Sequence, residues 1–547
     1  MCVRVPSSYT LPELKNNRKD EKNAMTNEEK SLLSEDFRLL EQGREYNRSI
    51  GLYDTVARNE RFYRGDQWHG VEAGDLPTPV FNLFKRVINY FISSIMSQRI
   101  SLHFTADGAL PAAGNGETVA EACEVVSRYL NYRFEKDKIH QLLSYGLQDA
   151  AITGDLFLYV YWDGKRENIH GFTGDFVTSL LDSTQVFFGD VNNHSVEEQP
   201  YILIAGRDLV SRLREEARAN GLSSSQVERI RADRDYTDEA GDFGSKELSD
   251  TKASYVIRLY KQNGTVWYSK SCRGTLLSPP RDTGLKMYPI ALMNWERVKN
   301  SYHGQAPATN LAENQLYINK AFAMVMKHMM DLSFSKVVYN ANIIDEWTNR
   351  IGEAVAVNGP VENAAVRLEP GSMQAGFLDV IQMTMQITKE LMGATDAALG
   401  NVSPDNTSAI IALQQSAAVP LEMQKSALYS LVERLGMIWL DFMLHYYDEK
   451  RPLIFREKGE LFQKALPAEL RRTMFSCHAQ AGASSQWSEL AQVSTLDSLL
   501  TGGHIRFSQY LERLPDGYIA GRQELLEEAR QAERSLTEGL AAKAETI

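Results

Sequence analysis

The chain is short of most features that announce chemistry. Its four cysteines, Cys2, Cys123, Cys272 and Cys477, are scattered over 547 residues without a CxxC pair. That spacing supports neither a structural zinc site nor a disulfide framework. Cys477 and His478 are adjacent, but no two further ligands lie near them. There is no GxxxxGK[ST] phosphate loop, no HExxH and no GxSxG turn, and Gly244-Ser245-Lys246 lacks the spacing that cradles a phosphate. The ten histidines are dispersed. The expectation is a non-enzyme, with no catalytic residue, no cofactor and no metal ligand.

A basic excess is missing too: 59 Lys and Arg stand against 71 Asp and Glu, a formal net charge of −12. Gripping nucleic acid by its phosphates requires a cationic face, because released counterions supply the affinity. The lack of any Lys/Arg block argues against a repressor, nuclease or motor that holds DNA tightly, but not against a smooth channel. No apolar run reaches the ~18 residues of a membrane span. The nearest, Val87 to Met96, contains Asn89, Ser93 and Ser94. The first residues carry no apolar core of the secretory kind. The expected protein is made inside the cell, keeps reduced thiols and has no membrane partner. Met25 is an alternative start that the sequence leaves open.

What is present is a large core: 43% of residues are hydrophobic and 10% aromatic. The length suggests about three or four domain-sized units. Residues 1–30 are polar, without periodicity, and read as disordered. A polar helix from about Ser31 should end at Gly65-Asp66. Phe84, Val87, Ile88, Phe91, Ile92 and Ile95 then recur at helical spacing, as a stripe packed on a core. A helix from about Glu117 to Ala151, interrupted near Phe134–Lys138, should stop at Gly154. The run Leu156 to Trp162 reads as a buried strand, with Asp163-Gly164 as a turn. Strands come next at Gln185–Phe188, Tyr201–Ile204, Tyr255–Tyr260 and Thr265–Ser269, the last two joined at Asn263-Gly264. Leu222 to Lys252 looks like a long surface excursion. The first 300 or so residues are thus an α+β body.

Beyond Tyr302-His303-Gly304 the character becomes mainly helical. Pro307 suits a first helical turn. Leu311, Ile318, Phe322, Val325, Met329 and Leu332 form one stripe, with Tyr317, Ala321 and Met324 on the other face. A helix apolar over so much of its circumference is buried on several sides, by its own chain or by copies of itself. An insert comes after it, with a strand at Lys336–Tyr339, a short helix at Ile344–Ile351 and a strand at Ala364–Leu368. A second helix carries Phe377, Val380, Ile381, Thr384, Ile387 and Leu391 and ends at Gly393. After a loop, a long helix should run to about Tyr447, kinked at Pro420. Met474–Ala479 reads as a strand, and Glu489–Leu500 and Arg522–Lys543 as helices.

The order of these pieces resembles the tailed-bacteriophage portal protein (head–tail connector) family. The resemblance is carried by Asn294-Trp295 with Tyr302-His303-Gly304, the Asn/Ala/Met-rich helix, the insert, and Glu390-Leu391-Met392-Gly393-Ala394-Thr395-Asp396. Ala398-Leu399-Gly400-Asn401-Val402-Ser403-Pro404-Asp405-Asn406-Thr407-Ser408-Ala409 continues it. Tyr63 to Trp68 and Thr153-Gly154-Asp155 match upstream. The resemblance implies an α+β, mainly helical ring subunit with wing, stem, clip and crown. It assigns 31–305 to the wing, 306–332 and 376–396 to the stem, and 333–375 to the clip. Residues 397–408 become the tunnel loop, 409–480 the kinked helix with its return to the wing, and 481–547 the crown. It implies a dodecamer whose channel passes double-stranded DNA without sequence specificity. Gly400, Asn401, Ser403, Asp405, Asn406 and Thr407 would face the DNA, and Leu311, Ile318, Phe322, Val325 and Met329 would form the stem interface. The implied partners are the packaging motor (terminase), tail or adaptor proteins, and capsid and scaffold proteins. The implied place is the portal vertex of the virion head, after assembly in the host bacterial cytoplasm. The alternatives are another oligomeric virion protein, such as a tail adaptor or scaffold-like protein, or an enzyme with an unfamiliar site.

Overall fold

The structure, a computed structural model, describes residues 27–106, 119–167, 172–233, 251–333, 337–346, 355–367, 376–394, 419–447, 451–457, 460–465, 475–481, 486–514, 519, 521–522 and 524–532. The chain opens with helices α1 (Asn27–Ser49), α2 (Leu52–Arg64) and α3 (Leu83–Ile95), followed by strand β1 (Ile100–Ala106). Gly65, at φ +96°, terminates α2 where the Gly-Asp pair was expected to. Asn82 caps α3 by accepting from the Lys85 amide at 2.9 Å, and Phe84, Val87, Ile88, Phe91 and Ile95 are all buried. Helices α4 (Val119–Lys136) and α5 (Ile139–Thr153) are separated by Lys138, which sits at φ +53°.

Gly154, at φ +104°, ends α5, and β2 (Asp155–Glu167) begins at once. Every residue from Leu156 to Trp162 is buried, because β2 is the central strand of a sheet in the order β3–β2–β9, with β3 at Thr173–Leu181. A strand flanked on both sides and covered on both faces reads as a continuous apolar run rather than an alternation. The expected turn at Asp163-Gly164 is instead a bulge: Asp163 still pairs with Asp175, the register then shifts, and Glu167 pairs with Thr173.

A second, antiparallel sheet holds β4 (Val186–Phe188), β5 (Tyr201–Leu209), β6 (Lys252–Gln262), β7 (Thr265–Cys272) and β8 (Thr275–Asp282) in sequence order. Helices α6 (Val210–Ala219) and α7 (Ser224–Glu228) lie between β5 and β6 in the chain, and β9 (Ile290–Asn294) returns to β2. Asn263 and Gly264, both at positive φ, make the expected β6–β7 hairpin. Leu39 and Leu40 of α1 pack on Phe187, Leu203, Ala205 and Val256 of this sheet.

Then come α8 (Pro307–Ser333), a small hairpin of β10 (Val337–Tyr339) and β11 (Ala365–Arg367), and α9 (Gly376–Leu391). The helix expected from Ile344 is not present over its described start. The Ile343 and Ile344 amides both donate to Asn340 in a turn, and the remainder lies outside the described residues. α10 (Glu422–Tyr446) is the core helix, burying Leu428, Leu431, Val432, Leu435, Ile438, Trp439, Phe442 and Met443. Pro420 sits in a 3₁₀ turn, Val419–Leu421, directly before this helix, where a residue without an N–H costs it no hydrogen bond; the part of the expected helix that precedes Val419 lies outside the described residues.

β12 (Pro452–Glu457) and β13 (Glu460–Ala465) form a hairpin, and β14 (Phe475–Ala481) pairs antiparallel with β1, Ile100 opposite Ala481. This pairing brings the C-terminal part of the chain back onto the N-terminal body. Its outer edges are covered: Asn131 exchanges two 2.8 Å hydrogen bonds with the Leu102 peptide, and the Ala479 amide donates to Glu433 at 3.0 Å. α11 (Gln486–Thr501), α12 (Phe507–Arg513) and a helical stretch at 524–532 come last.

A buried polar knot pins the end of α10. The Asp175 carboxylate receives Arg133 at 2.7 Å and the Tyr447 hydroxyl at 2.7 Å, while Arg451 donates to the Gly174 carbonyl at 2.6 Å. Burial alone would push the Asp175 carboxyl up, but Arg133, Tyr447 and Arg451 together hold it below the usual carboxylate range. Its folded value is thus below the unfolded one. The stabilisation is therefore present at neutral pH and is lost as pH falls through the folded value. Asp175→Asn should cost about 3 kcal/mol, because it takes a carboxylate from two buried guanidinium groups, of which Arg133 keeps Asp137 as a partner. Thermal melting compared at neutral and acid pH checks this: the deficit of the variant should shrink on acidification.

Candidate functional site

Two pieces that are far apart in sequence meet at the root of α8. Gly154 and Gly304 touch through their backbones: a Cβ on Gly154 would lie 2.4 Å from the Gly304 carbonyl oxygen, and one on Gly304 would lie 2.7 Å from that of Gly154. Asp155, fully buried, receives the Gly304 amide at 2.7 Å and the Asn294 side-chain amide at 2.7 Å on one oxygen. Its other oxygen meets His303 Nδ1 at 2.6 Å, and His303 Nε2 lies 3.2 Å from Asn47 Oδ1. The Trp295 amide donates to the Gly154 carbonyl at 2.8 Å. The turn leading into α8 is therefore fixed to the start of β2 from several directions.

The first half of α8 is set into the body. Gln315 accepts from the Phe84 amide at 2.9 Å and donates to the Phe81 carbonyl at 2.8 Å and to Asn319 at 2.9 Å. Asn319 in turn donates to Gln67 at 2.6 Å. Spaced by one helical turn, these two buried amides bind the strap of chain that precedes α3. Asn59 and Arg58 of α2 hold Thr309 and Glu313 on the next face.

From about Ala321 onward α9 supplies much of the cover, with Phe81 against Phe322. Ala321, Val325 and Ile381 form a small core of their own, with Phe322 and Met385 at its rim. Much of the remaining surface of both helices is bare. On α8, Tyr317, Met324, Met326, Met329 and Met330 are exposed, Met329 at 57%. On α9, Val380, Met383, Ile387 and Leu391 recur at helical spacing, Met383 at 64% and Leu391 at 72% exposure. Val338, Val361 and Val366 continue the apolar surface at the β10–β11 end.

Of the five residues expected at a stem interface, Leu311 and Ile318 are wholly buried by their own chain, and Val325 is buried against Ile381. They need no second copy to leave water. Phe322 is half-buried, its ring centroid 4.4 Å from that of the exposed Phe81 and tilted 39° to it, and Met329 is exposed. The stripe picked out from α8 is mostly the one facing inward. The exposed positions on α9 were visible in its sequence as apolar residues outside the Ile381–Met385 contact. The expected channel residues Gly400, Asn401, Ser403, Asp405, Asn406 and Thr407 lie outside the described residues.

Cys123, Cys272 and Cys477 are buried, and Cys2 lies outside the described residues. Burial, followed by Asp233, pushes the Cys272 thiol up to about 12, and burial, followed by Glu433, does the same for Cys477. Among the described residues no group of three or more His, Cys, Asp or Glu is placed to hold a metal ion. No helix among them is long and apolar enough to cross a membrane.

The described parts thus define a mixed α+β body bearing a helical hairpin with an apolar outer face. Residues 217–460 match the family model of the phage P22-like portal protein, so this segment is similar to the tailed-phage portal protein family. That family is structural and non-enzymatic, and its proteins are oligomeric and associated with the phage head. No curated protein matches the chain.

The matched segment includes both helices of the hairpin, whose placement rests on the Asp155 junction. Asp155→Asn removes the charge that the Gly304 and Asn294 donors meet on one oxygen and places an NH₂ against His303 Nδ1 on the other. Each hydrogen bond to a charged group contributes about 1.5–3 kcal/mol. The variant should melt at a lower temperature, with hydrogen exchange rising first around 302–310. Unchanged exchange there would mean the junction does not hold α8.

Proposed function

We infer that this chain is the portal subunit, assembling as a dodecameric ring at the head vertex. The ring is the channel for DNA packaging and ejection. It is also the docking site for the packaging motor (terminase), for tail or adaptor proteins, and for capsid and scaffold proteins. The observation that carries this reading is the bare outer face of the α8–α9 hairpin. Its two sides differ: α8 offers tyrosine and methionines, α9 an aliphatic ridge. Unlike surfaces on one subunit favour a head-to-tail contact, and such contacts close into a ring when the rotation allows. Burying about half a dozen of these side chains contributes on the order of 10 kcal/mol per contact before ordering costs. The assigned wing, stem, clip, tunnel loop and crown belong to the same reading. In this reading the stem interface assigned to Leu311, Ile318, Phe322, Val325 and Met329 also takes in the exposed Met324, Met326, Val380, Met383 and Leu391.

A ring of subunits that each carry −12 repels the phosphates it surrounds. The assigned tunnel loop offers Asn401, Ser403, Asp405 and Asn406 without a single Lys or Arg, which suits DNA sliding rather than anchoring.

Met329→Asp together with Met383→Asp places charges on the outer face without touching the Ala321–Val325–Ile381 contact. Sedimentation should move from ring to monomer, with the melting temperature of the subunit body preserved. A double variant that sediments as the parent does would remove the hairpin from the interface.

A further inference from the structure

Away from the hairpin, a groove of about 560 Å³ opens where the end of α3, the start of β1 and the α4–α5 joint converge. Such a volume suits a small ligand. Its lining is rich in donors: Arg99 and Lys138 bring charge, while Ser97, Gln98, His140 and Gln141 bring O–H and N–H groups. Neither Arg99 nor Lys138 has a carboxylate within ion-pair distance among the described residues, although this chain carries more acids than bases. Gln98 is oriented, because its carbonyl oxygen already accepts from the Tyr429 hydroxyl of α10 at 3.3 Å, leaving its NH₂ to the groove. His140 is half-buried, its ring edge-on to Phe134 at 5.1 Å. Burial, then Arg99, push its pKa down, so at neutral pH it offers an N–H rather than a charge. Glu135 is the one acid on the wall, and Met96 and Phe134 complete it.

We propose that this groove binds a phosphate oxyanion of about the size of a nucleotide unit, held by Arg99 and Lys138 and oriented by Gln98 and Gln141. Two unpaired cations beside fixed neutral donors form a site for a ligand with several acceptor oxygens. The site stands apart from the ring reading and does not depend on it. A phosphate could reach it as free nucleotide or as part of a nucleic acid backbone.

The test uses the full chain titrated with inorganic phosphate, with deoxyadenosine monophosphate and with a short fluorescein-labelled DNA duplex, each at several salt concentrations. Arg99→Gln with Lys138→Gln should weaken binding at least tenfold and flatten the log–log salt slope for the duplex by about two, one per lost contact. Both side chains are exposed, so the melting temperature should hold. Glu135→Gln should tighten binding, a gain that misfolding does not produce. Equal sensitivity of all three probes identifies a free phosphate or nucleotide as the ligand, whereas sensitivity of the duplex alone identifies a nucleic acid backbone. Parent protein that binds none of them, or a double variant that binds them as the parent does, overturns the site.

Discussion

Gly154 and Gly304 approach so closely that neither tolerates a side chain, and the carboxylate of the next residue, Asp155, locks the peptide of one to the strand of the other. A helix stop, the central strand of a sheet and the root of a long helix meet there. Because β2 is buried on both faces and α10 packs on the same core, the direction in which α8 leaves the body is set by a rigid part of the molecule. Gln315 and Asn319 extend that control over about the first three turns of the helix. Beyond them the hairpin is held only at its base and is bare along its outer side.

This division explains what the periodicity of α8 reports. Leu311, Ile318 and Val325 are apolar for an ordinary reason: the body and α9 cover them. Periodicity reports which residues avoid water but not which chain supplies the cover. The informative residues are those that remain exposed after their own chain has folded, and only packing reveals them. A run of methionines there is physically sensible, since unbranched side chains adapt to a partner whose surface is not rigid.

Local features were legible where one residue type had one physical use. The α3 stripe, the stops at Gly65 and Gly154, the break at Lys138 and the Asn263-Gly264 hairpin all arise from local propensity. Long-range pairing was not legible: nothing in Ile100–Ala106 announces Phe475–Ala481 as its partner. Nor does Asp163-Gly164 announce a bulge rather than a turn, since the same residues serve both and the flanking pairing decides. Asp155 and His303 were each part of a noticed tripeptide, but their contact required the fold.

A closed ring requires the outer face of the hairpin to be covered by a neighbouring copy. Electron microscopy of the purified full chain tests this most directly. The expected result is rings with a central opening, twelvefold in end view, with the α8–α9 hairpins side by side around the axis. Monodisperse single subunits at high protein concentration, or rings in which the hairpins point away from their neighbours, would contradict it.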